Sequence, residues 1–294
     1  MRSHSLYRCA VAVASLALLA ATNGCAGAAP GSTGPSATSG PGPATYAPDD
    51  LVLRVEVVHG FMREYFVDQL PIVSVYGDGR VITEGRAILA DAPAPIMRTV
   101  VVRQITAAGV DALVTRALER GVGRDIDYGQ PEIYDAPGTR FTLLTEQGPL
   151  VSDVYALGVT EGSRNLTDTQ RSARQALQNL VADLRDLAGT LGPEAVGNEE
   201  PYTPQALAAI TREWTDSVSS SQPERVWPGP ALPGEPMGTL PEVRCLTVTD
   251  ADVATVVEAT AAAHAYSRWI SEGQRWLVVL RPLLPDETSC ADLI

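Results

Sequence analysis

Four carboxylates and two phenols crowd residues 125–135: Asp125, Asp127, Glu132 and Asp135, with Tyr128 and Tyr134. Oxygen donors at that density are what a Ca²⁺ ion takes, although the ordered Asp-x-Asp-x-Asp-Gly spacing of a calcium loop is absent. In so acidic a chain the stretch reads first as a solvated surface loop, with ligand or cation binding as the alternative. Nucleophilic chemistry has little to work with. Gly-x-Ser-x-Gly does not occur, and Gly162-Ser163 lacks the strand–turn–helix context of a nucleophile elbow. Beyond residue 25 the histidines are His59, read as a turn residue after a strand, and His264, read as a packed residue or a C-terminal helix cation. All 22 basic residues are arginine, so Schiff-base lysines, Ser–Lys dyads and a P-loop lysine are excluded. No catalytic residue is assigned, and neither a metal nor a cofactor is expected.

The four cysteines sort by position. Cys9 lies inside an apolar run, Cys9–Ala21, that follows Arg2 and Arg8 and ends at Thr22-Asn23-Gly24-Cys25. A basic start, a short apolar stretch and a small-residue end are the layout of a secretory signal peptide, too short to span a bilayer. Gly24-Cys25 resembles a bacterial lipobox, in which the cysteine sulfur takes a diacylglyceryl group and becomes the new N-terminus. Thr22 and Asn23 depart from the usual Leu-Ala/Ser pattern, and Ala26-Gly27-Ala28 offers an ordinary signal-peptidase site that would release a soluble protein without Cys25. Residues 26–48 are Ala, Gly, Ser, Thr and Pro with one aromatic, Tyr46, and no charge. Such a stretch buries too little apolar surface to offset its ordering entropy and is expected to be a disordered tether, reaching roughly 25–30 Å. Cys245 and Cys290 remain. In an exported domain they are expected to form one disulfide, contributing at most roughly 4 kcal/mol through loop closure.

About 245 residues follow the tether, enough for one large or two small domains. The formal net charge is −13, and loss of Arg2 and Arg8 with the leader takes it to −15. That excess argues against nucleic acid, whose affinity depends on cations neutralising phosphates, and against the body lying flat on anionic lipid. The expected partners are the lipid bilayer, through the anchor, and an envelope protein.

The local pattern predicts an α+β protein of two small domains, each an antiparallel sheet with packed helices. The first, 49–191, begins with a strand Leu51–Val58 and a hairpin Val73–Thr83, in which Asp78-Gly79 is expected to supply positive φ angles. A strand Thr99–Gln104 and a Thr106-capped helix to about Arg120 follow, with Gly121 as its stop. A second hairpin, Arg140–Tyr155, precedes a helix opened by the Thr167-Asp-Thr-Gln170 capping box and ending near Gly189–Gly192. Residues 192–202 read as a linker. In the second domain, 203–294, Thr203-Pro204 predicts a helix through Leu207, Ile210 and Trp214. Trp227–Gly234 reads as a stiff connector with recognition-strip character as the alternative. A strand Arg244–Thr249, a helix capped by Thr249 with Val253, Val256, Val257 and Thr260 inward, and a strand Arg275–Leu280 complete it. Trp214, Trp227, Trp269 and Trp276 all fall in this second part.

The chain resembles a group of actinobacterial secreted lipoproteins of uncharacterised activity. The resemblance is carried by Leu70-Pro-x-Val-Ser-Val-Tyr-Gly-Asp-Gly-Arg-Val-Ile-Thr83, Val154-Tyr-Ala-Leu-Gly158, Trp227-Pro-Gly-Pro-Ala-Leu-Pro-Gly234 and Leu280-Arg-Pro-Leu-Leu-Pro-Asp-Glu287, and it implies a surface location. Arg54-Val-Glu-Val-x-x-Gly-Phe61, with the strand–helix–hairpin–helix order behind it, is similar to emfourin-like inhibitors of thermolysin-type proteases. The expected role is a membrane-tethered, non-catalytic binding or scaffolding module. The alternatives are a protein-binding regulator or protease inhibitor, and an enzyme with a site assembled from scattered Asp, Glu, Tyr and Arg.

Overall fold

The computed structural model describes residues 45–59, 66–85, 94–159, 165–215 and 223–294. The leader, Cys25, most of the tether, Gly162-Ser163 and Gly60-Phe61 lie outside the described residues. In chain order the elements are β1 (Leu51–Val58), β2 (Val73–Tyr76), β3 (Arg80–Glu84), β4 (Val100–Gln104), α1 (Ala107–Glu119), β5 (Gly138–Thr145), β6 (Gly148–Tyr155), α2 (Asp168–Arg185), α3 (Leu187–Leu191), β7 (Glu200–Pro201), β8 (Ala206–Glu213), β9 (Arg225–Val226), β10 (Glu235–Met237), β11 (Leu240–Thr249), α4 (Ala251–Thr260), β12 (Trp269–Ser271) and β13 (Gln274–Pro282). The α+β class is as the sequence pattern predicts. One sheet runs β6-β5-β1-β2-β3-β4-β7 and the other β10-β11-β8-β13-β12-β9. All pairings are antiparallel except β12 with β9.

Alternation explains the first sheet. Leu53 and Val55 of β1 lie beside Val75 and Val73 of β2 and beside Leu143 and Phe141 of β5. This face forms one core with Val110, Leu113 and Ala117 of α1 and Leu177, Leu180 and Leu184 of α2. The helix caps follow the sequence. Thr106 Oγ1 accepts from Gly109 N at 3.1 Å, and Thr167 and Gln170 exchange bonds of 3.2 and 2.9 Å. Gly121 stops α1 at φ +101°. The second helix ends sooner than expected, because Asp186 breaks it and caps α3 by accepting from Gly189 N at 3.0 Å. In the β2–β3 turn only Gly79 takes a positive φ, +88°. Asp78 instead accepts from Arg80 N at 3.0 Å, so one glycine suffices where the sequence suggested a pair.

The other face of the first sheet carries Arg54, Ser74, Tyr76 and Ile82, and it is covered by the chain that follows β13. Tyr76, Ile82 and Val100 pack with Leu284. A second link is the 94–97 segment. Ile96 enters the core around Trp227, Trp269 and Trp276, and its carbonyl accepts from Leu280 N at 2.7 Å. Both sheets belong to one compact unit, Pro43–Ile294.

Four local expectations are corrected. Residues 206–213 are a strand, not a helix. Ala206-Leu-Ala-Ala-Ile210 is a short continuous apolar run, a pattern that periodicity alone cannot divide between a buried helix and a central strand. Here β11 and β13 pair with it on both sides, and Leu207 and Ala209 point into one core while Ala208 and Ile210 point into another. The α4 cap is Asp250, at φ 55° and ψ −134°, and Thr249 Oγ1 donates to its carboxylate at 2.9 Å. Residues 45–48, which composition assigns to the end of the tether, join the fold: Tyr46 packs on the first core and Ala47 N donates to Asp50 at 2.7 Å. The 192–202 stretch lines β4, with Gly197 N donating to Gln104 O at 2.7 Å and β7 pairing at the sheet edge.

Candidate functional site

The acidic stretch is anchored from behind, and its carboxylates do not converge. Asp127 accepts from Gly129 N and from Gln170 Nε2, both at 2.8 Å. Asp125, Glu132 and Asp135 are exposed, and Tyr134 is 90% exposed. Tyr128 is buried, which raises its pKa, and its hydroxyl donates to Gly121 O at 3.3 Å. Among the described residues, no three His, Cys, Asp or Glu side chains gather as a metal-holding set. Two side chains organise the loop, one half-buried and one fully buried. The Tyr155 hydroxyl donates to Ile133 O at 2.9 Å and accepts from Ala136 N at 3.1 Å. Arg174 of α2, fully buried, donates to the carbonyls of Tyr128 at 3.3 Å, Tyr155 at 2.9 Å and Ala156. Burial lowers its pKa from the usual guanidinium value, as expected of a charge taken from water.

The histidines have local partners. His59 stacks on Phe66 with ring centroids 3.7 Å apart, and its Nε2 lies 3.0 Å from Gln69 Oε1. His264 lies beyond the end of α4 rather than on its apolar face. Its Nδ1 accepts from Tyr266 N at 3.1 Å. Cys245 and Cys290 are disulfide-bonded, with Cα atoms 6.0 Å apart.

The densest buried chemistry lies where the two sheets meet, and it uses residues the sequence reading passed over. From β1, Arg54 donates through Nε to Ser74 Oγ at 3.0 Å and through Nη2 to Asp286 at 2.8 Å and to the Tyr76 hydroxyl at 3.2 Å. Tyr76 in turn donates to Asp286 at 2.6 Å. Arg281, at the end of β13, makes a two-pronged pair with Glu287 at 2.6 and 2.9 Å. Glu287 also accepts from Leu284 N at 2.9 Å and lies 3.9 Å from Arg54. The Arg281 and Glu287 side chains are each 5% exposed.

Two guanidinium groups and two carboxylates cancel, which is the condition for keeping charges in a low-dielectric seam. Burial opposes the Arg54 charge, but Asp286, Tyr76, Glu287 and Glu56 outweigh it and raise its pKa. Burial, with Asp286 and Glu287 adding to it against Arg54, pushes the Tyr76 phenol far above its usual range. Nearby Tyr202 is pushed up to about 12, chiefly by burial, and donates to Leu283 O at 2.9 Å. Tyr76 therefore remains a neutral donor. A pocket of about 100 Å³ adjoins the cluster, lined in part by Glu56, His59 and Gln69. That volume suits a few waters and falls well below the few hundred Å³ of a drug-sized ligand site.

Asp286 and Glu287 come from the Leu280–Glu287 stretch and Ser74 and Tyr76 from Leu70–Thr83, so the cluster joins two segments far apart in the chain. The available signal was the placement of charge inside strand-like apolar runs, Arg54 in Leu-Val-Leu-Arg-Val and Arg281 in Val-Leu-Arg-Pro-Leu-Leu. The partners, more than two hundred residues apart for Arg54 and Asp286, could not be paired from spacing. No family model, curated protein or solved structure matches the chain. Among the described residues no helix is long and apolar enough to cross a membrane.

Proposed function

We propose that this chain is an extracytoplasmic envelope protein, tethered to the membrane by a lipid on Cys25, whose α+β body is a non-catalytic binding or scaffolding module. Gly24-Cys25 at the end of the leader, with the uncharged 26–48 stretch behind it, carries this reading. The Cys245–Cys290 disulfide supports it, since such bonds persist in oxidising compartments. The central acids and bases also support it: Arg54, Arg281, Asp286, Glu287 and Tyr76 satisfy one another and brace the junction of the sheets. The exposed Tyr134 and acidic loop tip supply surface for a protein partner.

Intact mass and fractionation of the mature protein test the anchor. A Cys25 N-terminus carrying acyl mass in the membrane fraction, with Cys25→Ser releasing the protein, is the expected result. A soluble product that begins after Ala28 overturns the tethered reading. A hydrolytic activity abolished by one point substitution would overturn the non-catalytic one.

A further inference from the structure

The chain after β13 is held at two places that lie almost next to each other in sequence. At the first, Asp286 and Glu287 engage Arg54, Tyr76 and Arg281. At the second, Cys290 is bonded to Cys245 of β11 and its N–H donates to Thr247 Oγ1 at 3.0 Å. Only Thr288 and Ser289 separate Glu287 from Cys290. They are braced rather than slack, since Asp292 accepts from Thr288 N at 2.7 Å and from Ser289 N at 2.9 Å. Cys290 and Leu293 also pack on the cluster of Val243, Cys245 and Leu283. A short braced connection transmits displacement at one end to the other.

We propose that the Cys245–Cys290 disulfide and the Arg54–Asp286 ion pair are thermodynamically coupled, so that the junction of the two sheets is a redox-set lock. In an oxidising compartment the bond holds Asp286 and Glu287 against their partners. A dithiol reductant supplies two electrons and two protons, the protein S–S bond breaks to two thiols, and the reductant closes its own disulfide. The last turn of the chain is then free to fray back to Glu287, and the lock loosens. The Ile96–Leu280 pairing elsewhere between the sheets does not involve this segment, so the reduced protein keeps its sheets. The coupling is independent of whether Cys25 is acylated.

Coupling between two sites is reciprocal. Weakening the ion pair must therefore ease reduction of the disulfide by the factor by which reduction weakens the ion pair. The test titrates the native, full mature protein with dithiothreitol and counts thiols by alkylation and intact mass. Asp286→Asn is expected to move the reduction midpoint toward milder conditions by about tenfold, within the usual range of coupling factors. Asp183→Asn, which breaks the Arg116 and Arg120 pairs between α1 and α2, serves as a control of general destabilisation. It is expected to leave the midpoint in place. Coincident midpoints for Asp286→Asn and the parent overturn the proposal, and so does an equal shift in both variants. If Asp286→Asn fails to fold, Tyr76→Phe replaces it, since that change removes only the hydroxyl, which donates to Asp286 and accepts from Arg54.

Discussion

Replacing Arg54 by methionine keeps the length of the side chain and removes its charge and its donors. In the folded protein Asp286 then keeps only its hydrogen bond from the Tyr76 hydroxyl, while Arg281 keeps its pair with Glu287. Leaving one member of a buried pair unpaired costs about 3–5 kcal/mol. Two features set the value here. The Asp286 side chain is 23% exposed, against 11% for Arg54, so water recovers part of the loss. Buried Ser74, in turn, loses the Arg54 Nε donor, which costs about 1 kcal/mol. The expected net loss is about 3 kcal/mol, or roughly 6–12 °C in Tm for a body of this size. The assay is thermal and urea unfolding of parent, Arg54→Met, Asp286→Asn and the double variant as a cycle. The double variant should recover part of the loss, with a coupling of at least about 1.5 kcal/mol. A loss below about 1 kcal/mol, or strict additivity of the two substitutions, would refute the picture of a desolvated, mutually dependent cluster and class it with weak surface pairs.

The raised phenol pKa values of Tyr76 and Tyr202 set the alkaline limit. In the unfolded chain these groups ionise near 10.0, while in the fold they stay protonated, so their contribution is complete below pH 10 and is lost as the pH rises above it. Tyr202→Phe and Tyr76→Phe should flatten that decline, and tyrosinate absorbance of the parent at pH 11 should show both phenols un-ionised until unfolding. Arg174→Ala strands the carbonyls of Tyr128, Tyr155 and Ala156, with an expected loss of about 2–4 kcal/mol in urea. Faster amide exchange should be confined to the loop after β5's partner strand and to residues 125–136. Arg174→Lys should not restore it, because one ammonium cannot span the same carbonyls. Ala209→Leu, in the middle of β8 and with no exposed surface, overfills the core and should cost about 1–3 kcal/mol in the same assay.

Much of the local architecture was legible in the residues themselves. Thr106, Gly121 and the Thr167–Gln170 box bound their helices because caps act on backbone groups two or three residues away. The β5–β6 hairpin and β1 follow from alternation, and the Cys245–Cys290 pairing from elimination among the four cysteines. The central strand β8 was not legible. A five-residue apolar run has no internal signal that separates helix from strand, and only the flanking β11 and β13 decide it. The same holds for function-bearing groups. Composition points to Asp125, Asp127, Glu132 and Asp135, yet all four stay exposed, and Asp127 serves as a local brace. The charges it buries are Arg54, Arg281, Asp286 and Glu287, brought together from the first strand and the last turns. By itself, then, the sequence determined the helices capped by Thr106 and Thr167, the hairpins and the acidic charge excess, because those depend on neighbours along the chain or on composition alone. Tertiary structure alone decided which apolar run became the central strand and which charges left water. Burial and ion pairing are properties of the assembled sheets, and no local pattern records them.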